Sequence, residues 1–157
     1  MNLPAHDSSD IPEYFSEEIT LDAPVSLVWK YLVDPRSMSA WMGGSDYAVE
    51  VETTWEVGSA IVVRGVHHLP FESRGMVLGF KPNQELSYTQ LSSLSRLPDQ
   101  PSSYTTLSFV LDAAGNRTIL RFKASGFPTM VIYKHLQFYW LVTLDVFKAH
   151  VEACHQA

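Results

Sequence analysis

The feature that most constrains this chain is an unbroken apolar stripe near its C-terminus. Six apolar side chains recur there at intervals of three or four residues, namely Tyr133, Leu136, Trp140, Leu144, Phe147 and Val151. This spacing places them on one face of an α-helix that runs from about Thr129 to Cys154. A helix of about 25 residues, rising about 1.5 Å per residue, is about 37 Å long. The sequence therefore predicts a helix long enough to cross a whole sheet.

A run of alternating segments in the middle of the chain predicts the sheet itself. Tyr47–Thr53 is the clearest, because Val49 and Val51 alternate with acidic side chains, as is typical of a half-buried strand. The other predicted strands are Glu13–Leu21, Ser59–His67, Phe71–Phe80, Glu85–Leu91, Tyr104–Ala113 and Arg117–Ala124. The polar segment Ser92–Ser103 between two of these strands is predicted to be a flexible loop.

Two short helices are predicted between the first and second strands. The sequence Asp22-Ala23-Pro24 is a helix-start signal, and one apolar face follows it, formed by Val25, Val28, Trp29 and Leu32. Asp34-Pro35 ends this helix and starts another that reaches about Trp41. The whole order predicts an α+β fold in which a curved antiparallel sheet grips the C-terminal helix. Residues 1–11 are predicted to be a loose tail, and residues 12–157 a single domain.

The composition narrows the classes of protein to consider. The chain has 157 residues, of which 46% are hydrophobic and 18% charged, as is typical of a globular protein. Its single cysteine, Cys154, excludes an internal disulfide and fits a reducing compartment. The N-terminal residues lack the basic start and apolar run of a signal peptide, and no stretch reaches about 18 uncharged apolar residues. We therefore expect a cytoplasmic protein without a membrane span.

Charge is unevenly distributed along the chain. The formal net charge is −6, yet residues 1–56 hold eleven acidic and two basic side chains, whereas residues 57–157 hold six acidic and nine basic ones. Two interpretations fit: a bipolar surface that meets a charged partner, or acidic early strands that pair beside basic late ones. No basic stripe with interleaved aromatic residues is present, so we expect no nucleic-acid partner.

Several segments carry a resemblance to a known group of folds. The segment ITLDAPVSLVWKYLVDP (Ile19–Pro35), followed by Trp41, resembles the opening of the SRPBCC superfamily, the START/Bet v 1-like folds. Further similar features are Gly58, Pro82–Thr89, Thr105–Phe122, Gly126-Phe127, Trp140, Leu144, Phe147 and Val151. The most similar branch is that of the activator of Hsp90 ATPase (AHSA1-like). Tyr139 departs from the glycine that this branch commonly has before the helix tryptophan.

The resemblance implies a helix-grip fold with an apolar cavity between the sheet and the long helix. It implies a small apolar molecule or a lipid as the ligand, and it leaves the identity of that ligand open, because fold does not determine function. The name of the branch also implies a chaperone partner of the Hsp90 type and a role in stress response. A homodimer is compatible with the sequence.

Eight residues are predicted to line this cavity. They are Trp41, His67, Phe71, Tyr88, Phe109, Phe122, Tyr133 and Trp140. A curved sheet closed by one helix leaves an apolar pocket with few polar groups unless large side chains fill it. The same side chains can instead pack as core, and the sequence leaves both interpretations open for each of them.

His67 is the polar residue of greatest interest in this set. Strand parity places it on the same face as Ile61 and Val63, where it can orient the polar end of a ligand, act as a general base, or be held by one structural hydrogen bond. His68 is expected on the opposite face. Glu17 also has inward parity, which a strand bulge or an exposed edge explains.

No catalytic residue, cofactor or metal centre is predicted. His150 and Cys154 lie one helical turn apart, but a zinc site needs a third and usually a fourth ligand. Three functions remain as hypotheses. The first is a carrier or sensor of a small apolar molecule, the second an interaction module such as an Hsp90-type chaperone regulator, and the third a cyclase- or hydratase-like enzyme that uses His67 with Tyr88.

Overall fold

The computed structural model describes residues 10–43 and 48–156, apart from the side chain of His67. In chain order the elements are β1 (Tyr14–Leu21), α1 (Val25–Val33), α2 (Pro35–Met42), β2 (Glu50–Thr53), β3 (Ala60–His67), β4 (Leu69–Lys81), β5 (Glu85–Ser92), β6 (Thr105–Ala114), β7 (Arg117–Ser125) and α3 (Met130–Gln156). The predicted order of elements and the α+β helix-grip class are confirmed. Most of the predicted tail, residues 1–11, lies outside the described residues.

All seven strands form one antiparallel sheet in the order β1-β7-β6-β5-β4-β3-β2. From β2 to β7 the strands follow one another as sequential neighbours, as consecutive strands commonly do. β1 instead pairs with β7, so the first and last strands lie side by side and β1 forms one edge of the sheet. This leaves one inner face of the sheet for the helices to cover.

The long helix α3 covers this inner face with the predicted stripe. Its buried side chains are Leu136, Trp140, Thr143, Leu144, Phe147 and Val151, while Tyr133 at its start is half-buried. The Oγ1 atom of Thr129 accepts a hydrogen bond from the backbone N–H of Ile132 at 3.1 Å, which satisfies one of the unpaired donors of the first helical turn. The predicted stripe is therefore the face by which α3 joins the core.

The short helices are separated by a single residue, Asp34. Its carboxylate accepts hydrogen bonds from the N–H of Arg36 at 3.4 Å and from the hydroxyl of Ser37 at 3.2 Å, and Pro35 occupies the first position of α2. Proline suits that position because its missing N–H would have no helical partner there. The Asp34-Pro35 signal is thus confirmed as the end of one helix and the start of the next.

The connections between strands differ in detail from the predictions. β3 and β4 are joined by His68 alone, with φ +60°, because His67 pairs directly with Leu69. The predicted turn at His68-Leu69-Pro70 is therefore confirmed at His68 alone, because Leu69 and Pro70 already belong to β4. The segment predicted as a flexible loop contains two short 3-10 turns, Ser93–Ser95 and Pro101–Ser103. A serine hydroxyl caps the first of them, since the Oγ of Ser92 accepts from the N–H of Leu94 at 3.2 Å, whereas the second begins with Pro101 and has no side-chain cap.

The uneven charge along the sequence is explained by strand pairing on the outer face. Glu18 of β1 meets Arg121 of β7 at 3.2 Å, and Glu52 of β2 meets Arg64 of β3 at 2.8 Å. Acidic early strands therefore lie beside basic later ones, as the second interpretation predicted. Exposed pairs of this kind each stabilise a fold by at most about 1 kcal/mol.

Candidate functional site

Trp140 lies at the centre of an aromatic cluster between the sheet and α3. Its ring stacks on Phe122 of β7 at 4.8 Å between centroids, meets Phe109 of β6 edge-on at 5.6 Å, and lies 6.3 Å from Trp41 of α2. Only 1% of its surface is exposed. Side chains of β6, β7 and the distant helix α2 therefore meet on one side chain of the long helix.

Tyr88 extends this cluster along β5. Its ring stacks on Phe109 at 6.2 Å and lies 6.3 Å from Trp55. Burial raises the pKa of the Tyr88 hydroxyl, and the nearby Tyr139 raises it further, because a phenolate is costly in an apolar interior. The Tyr88 hydroxyl therefore keeps its proton at neutral pH and is available as a hydrogen-bond donor rather than as a base.

Five of the eight predicted lining residues are thus brought together by the fold. We call them the aromatic cluster, which consists of Trp41, Tyr88, Phe109, Phe122 and Trp140. All five are buried. Their assignment to a ligand site stays a prediction, because the same contacts also serve the core.

The other three predicted lining residues lie elsewhere. Tyr133 is half-buried and packs on Phe127 and Phe15, with ring centroids 5.0 and 6.0 Å away. Phe71 is half-buried on β4, opposite Gly65 of β3. The backbone of His67 lies at the end of β3, and its side chain is outside the described residues. The hypothesis that His67 and Tyr88 act together as an acid–base pair therefore stays open.

Next to the aromatic cluster, the inner face of the sheet carries small side chains. Gly65 of β3 and both Ser73 and Gly75 of β4 share the face of the buried Ile61, because Gly75 is its direct cross-strand partner. A Cβ atom at Gly75 would lie only 1.7 Å from the carbonyl oxygen of Thr89. We call Gly65, Ser73 and Gly75 the small-residue patch.

Two aromatic residues of this region were missed by sequence reasoning. Trp55 lies between β2 and β3 with φ +62°, so strand parity could not predict its direction. Its ring stacks on Phe80 at 5.6 Å, and its Nε1–H donates to the carbonyl of Val33 at 2.8 Å. Tyr139 was noted only as a departure from a family pattern. A left-handed residue is rarely visible in a sequence unless it is glycine or asparagine.

A shallow groove of about 480 Å³ lies outside the core, between β1 and α3. We call it the α3 groove, and it is lined by Glu17, Glu18, Ile19, Phe138, Leu141, Val142, Leu144 and Asp145. Phe138 is 72% exposed there. Glu17 pairs with Phe122 in a regular register on the edge strand β1, so no bulge is present at this position. Its inward parity is therefore explained by its place at the exposed edge of the sheet, where it lines this groove.

The sequence of this chain matches one known protein family. The family described as activator of Hsp90 ATPase homolog 1-like protein matches residues 22–152, which span the chain from the start of α1 to the last turn of α3. The chain belongs to this family. It is an AHSA1-like domain of the SRPBCC superfamily, as the resemblance predicted.

Solved structures from several bacteria share the fold of this AHSA1-like domain. Protein CV1439 from Chromobacterium violaceum is 20% identical with a TM-score of 0.78, over 90% of this chain and 99% of its own. ChR145 from Cytophaga hutchinsonii is 26% identical with a TM-score of 0.75, over 94% and 99%. CalU16 from Micromonospora echinospora is 18% identical with a TM-score of 0.67, over 88% and 75%. A comparison with curated proteins gave no match.

Tyr139 gives this AHSA1-like domain a contact of its own. Its hydroxyl donates a hydrogen bond of 2.6 Å to the carbonyl of Met42, the last residue of α2. That carbonyl has no partner within its helix, as is general for the last turn. The Tyr139 side chain therefore ties the end of α2 to the long helix beside the aromatic cluster.

Two further features of the AHSA1-like domain bear on the remaining hypotheses. In the described part of the chain, no three His, Cys, Asp or Glu side chains come close enough to hold a metal ion. His150, half of the pair considered above, packs its ring edge-on against Tyr31 at 5.5 Å. None of the described helices has both the length and the hydropathy of a membrane-crossing segment.

Proposed function

We propose that this AHSA1-like domain binds a small apolar molecule between the sheet and α3, as a carrier or a sensor. The observation that supports this most directly is the small-residue patch facing the same interior as the aromatic cluster. Gly65 of β3 is buried, and Ser73 and Gly75 of the neighbouring strand β4 are half-buried. An interior that combines aromatic walls with a floor of small residues suits an apolar ligand.

The walls of this interior also suit an apolar guest chemically. None of the buried side chains among the described residues carries a charge, and the buried polar ones are Ser37, Ser103, Thr105, Thr118 and Thr143. An apolar molecule gains dispersion contacts in such surroundings and loses no hydration of its own. Carrier or sensor function needs no more than this binding.

Titration of a neutral, environment-sensitive dye such as Nile red into the folded protein tests the proposal. We expect saturable binding in the micromolar range, or about −8 kcal/mol. Two substitutions, Gly65→Leu and Ser73→Phe, should block binding, because each puts a large side chain in place of a small one in the small-residue patch. Leu94→Ala, on the exposed surface of the 92–103 segment, is the control and should leave binding unchanged. If Leu94→Ala weakens binding while the first two do not, the dye occupies an exterior patch and the proposal is wrong.

A second candidate function, a chaperone-regulating interaction module, is favoured by the α3 groove. Exposed apolar side chains continue along the outside of α3, including Phe138, Leu141 and Val142. Glu17 and Asp145 line the same groove, and neither has an ion-pair partner among the described residues. Charge complementarity therefore favours a partner segment that presents apolar side chains flanked by Lys or Arg.

The family name suggests the assay for this second candidate. If the groove binds an Hsp90-type chaperone, the wild-type domain should change the ATPase rate of that chaperone. Phe138→Glu should remove the effect, because it puts a charge at the centre of the apolar contact. Val57→Glu changes an equally exposed valine outside the groove and should have no effect. An unchanged ATPase rate with the wild-type domain would contradict this candidate.

A further inference from the structure

Two polar atoms in the interior have no hydrogen-bond partner. Among the described residues, the hydroxyl of Tyr88 and the Nε1–H of Trp140 are buried and unpaired, on side chains whose exposed fractions are 2% and 1%. Leaving a buried polar group unpaired costs about 1–3 kcal/mol. Native interiors contain few such groups, and each one calls for an explanation.

The neighbouring aromatic donors obey the pairing rule. Trp41 donates to the carbonyl of Tyr31 at 3.0 Å, and Trp55 and Tyr139 donate to the carbonyls of Val33 and Met42 at 2.8 and 2.6 Å. Each of these donors satisfies a carbonyl in the last turn of a short helix. The two unpaired donors therefore differ from these three neighbouring aromatic donors, each of which has a backbone partner.

The two unpaired donors are also close to one another in the fold. The rings of Tyr88 and Trp140 both pack on Phe109, at 6.2 and 5.6 Å. Both groups lack a hydrogen-bond acceptor. The indole N–H of Trp140 can only donate, and the Tyr88 hydroxyl keeps its proton because burial raises its pKa. The described interior thus has two hydrogen-bond donors that pack on Phe109 and no protein acceptor for either of them. A bound molecule can supply that acceptor.

We propose that the apolar ligand of this domain carries an uncharged hydrogen-bond acceptor, a ketone, quinone or ester oxygen, that accepts from Tyr88 and Trp140. This inference rests on the proposed ligand-binding function and narrows it to one ligand class. A carboxylate fits less well, because the described interior has no buried cation to offset the loss of its hydration. An amine fits less well because it brings further donors to a site that already has two.

Three probes that share one ring system distinguish these classes. They are 1-acetylnaphthalene, with a ketone; 1-ethylnaphthalene, with no acceptor; and 1-naphthoate, with a charge. Their dissociation constants are measured by calorimetry for the wild type, for Tyr88→Phe and for a control, Tyr104→Phe. The Tyr104 hydroxyl bonds Asp99 at 2.6 Å on the surface, so this control makes the same chemical change away from the interior.

We expect Tyr88→Phe to weaken binding of the ketone about five- to tenfold, as loss of one neutral hydrogen bond does. Its effect on 1-ethylnaphthalene should stay within about twofold, because the phenyl ring and its apolar contacts remain. Tyr104→Phe should change neither constant. In proton NMR, the Trp140 indole N–H should shift downfield with the ketone and not with the ethyl compound.

The other outcomes overturn the inference in distinguishable ways. If the ketone and the ethyl compound bind equally well to the wild type and to Tyr88→Phe, the ligand does not accept a hydrogen bond from the two donors. Only the general binding function then survives. If 1-naphthoate binds most tightly, the acceptor is charged and the inference is wrong. If none of the three probes binds to the wild type, the proposed function fails together with the inference.

Discussion

The two halves of the inner face of the sheet are built from different side chains. On β5, β6 and β7 the inward positions are large and buried, namely Leu86, Tyr88, Leu107, Phe109, Leu120 and Phe122. On β2, β3 and β4 the inward Ile61 and Val77 are buried, whereas Val51, Val63, Phe71, Ser73 and Gly75 are only half-buried. The first half is closed by α3, whereas the second half leaves surface for something else to contact.

The difference between the two halves has a consequence for stability. Large side chains recover close packing where α3 lies against them, and this supplies most of the hydrophobic stabilisation. The other half buries less apolar side-chain surface and therefore contributes less to this stabilisation. We therefore expect substitutions in the two halves to differ in their effect on stability, and four predictions test this in order of decreasing effect.

The largest effect is expected at the centre of the packed half. Trp140→Ala removes a buried ring that touches Phe109, Phe122 and Trp41, and it should lower the free energy of unfolding by about 3–5 kcal/mol. Phe71→Ala in the open half should lower it by less than about 1.5 kcal/mol, because that ring is already half exposed. Denaturant melts measure both, and similar losses would remove the distinction between the halves.

The next effect concerns a backbone contact in the open half. Gly75→Ala would place a methyl group 1.7 Å from the carbonyl oxygen of Thr89, so the two strands must separate, at a cost of about 3 kcal/mol. Gly79→Ala on the same strand meets only the movable hydroxyl of Ser87, at 2.9 Å. It should cost about 1 kcal/mol or less. Equal melting temperatures for the two variants would show that the strands near Gly75 are not fixed.

A smaller effect is expected where the two halves meet the helices. Tyr139→Phe removes the hydrogen bond to the Met42 carbonyl and should cost about 1 kcal/mol. Tyr88→Phe removes a hydroxyl that has no partner in the described structure and should leave stability unchanged or slightly raised. This pair of variants makes the same chemical change in two neighbouring rings. A larger loss for Tyr88→Phe than for Tyr139→Phe would mean that its hydroxyl is bonded in the free protein.

The smallest effect lies on the outer face of the open half. Arg74 and Arg64 hold the pKa of the Glu72 carboxyl below its usual range, so this group stabilises the fold above its unfolded pKa and ceases to do so as the pH falls through its lowered pKa. Glu72→Gln should melt slightly below the wild type at neutral pH, and the difference should vanish under strongly acidic conditions. Added salt should reduce it; a difference that grows on acidification would contradict this assignment.

The packed half was predictable from the sequence because its signals are periodic. Leu120 and Phe122 alternate with charged residues on β7, and Trp140 lies on a helical stripe, so parity and spacing alone bring them together. Trp55 and His68 could not be predicted in this way, because both adopt left-handed conformations outside regular strands. Whether the Tyr88 hydroxyl has a hydrogen-bond partner depends on all of its neighbours in the folded protein, so the spacing of residues in the sequence could not predict it.

The pairing of β1 with β7 has a consequence for how the chain folds. The Thr118 hydroxyl bonds the Ala23 carbonyl across 95 residues, and the N–H of Asp22 reaches the Glu152 carboxylate across 130. During synthesis β1 emerges before the other strands, and β7, its partner in the described sheet, follows about 100 residues later. Contacts of such long range slow folding towards the millisecond-to-second range. A chain released before residue 117 would keep β1 unpaired and the inner face of the sheet open to other proteins.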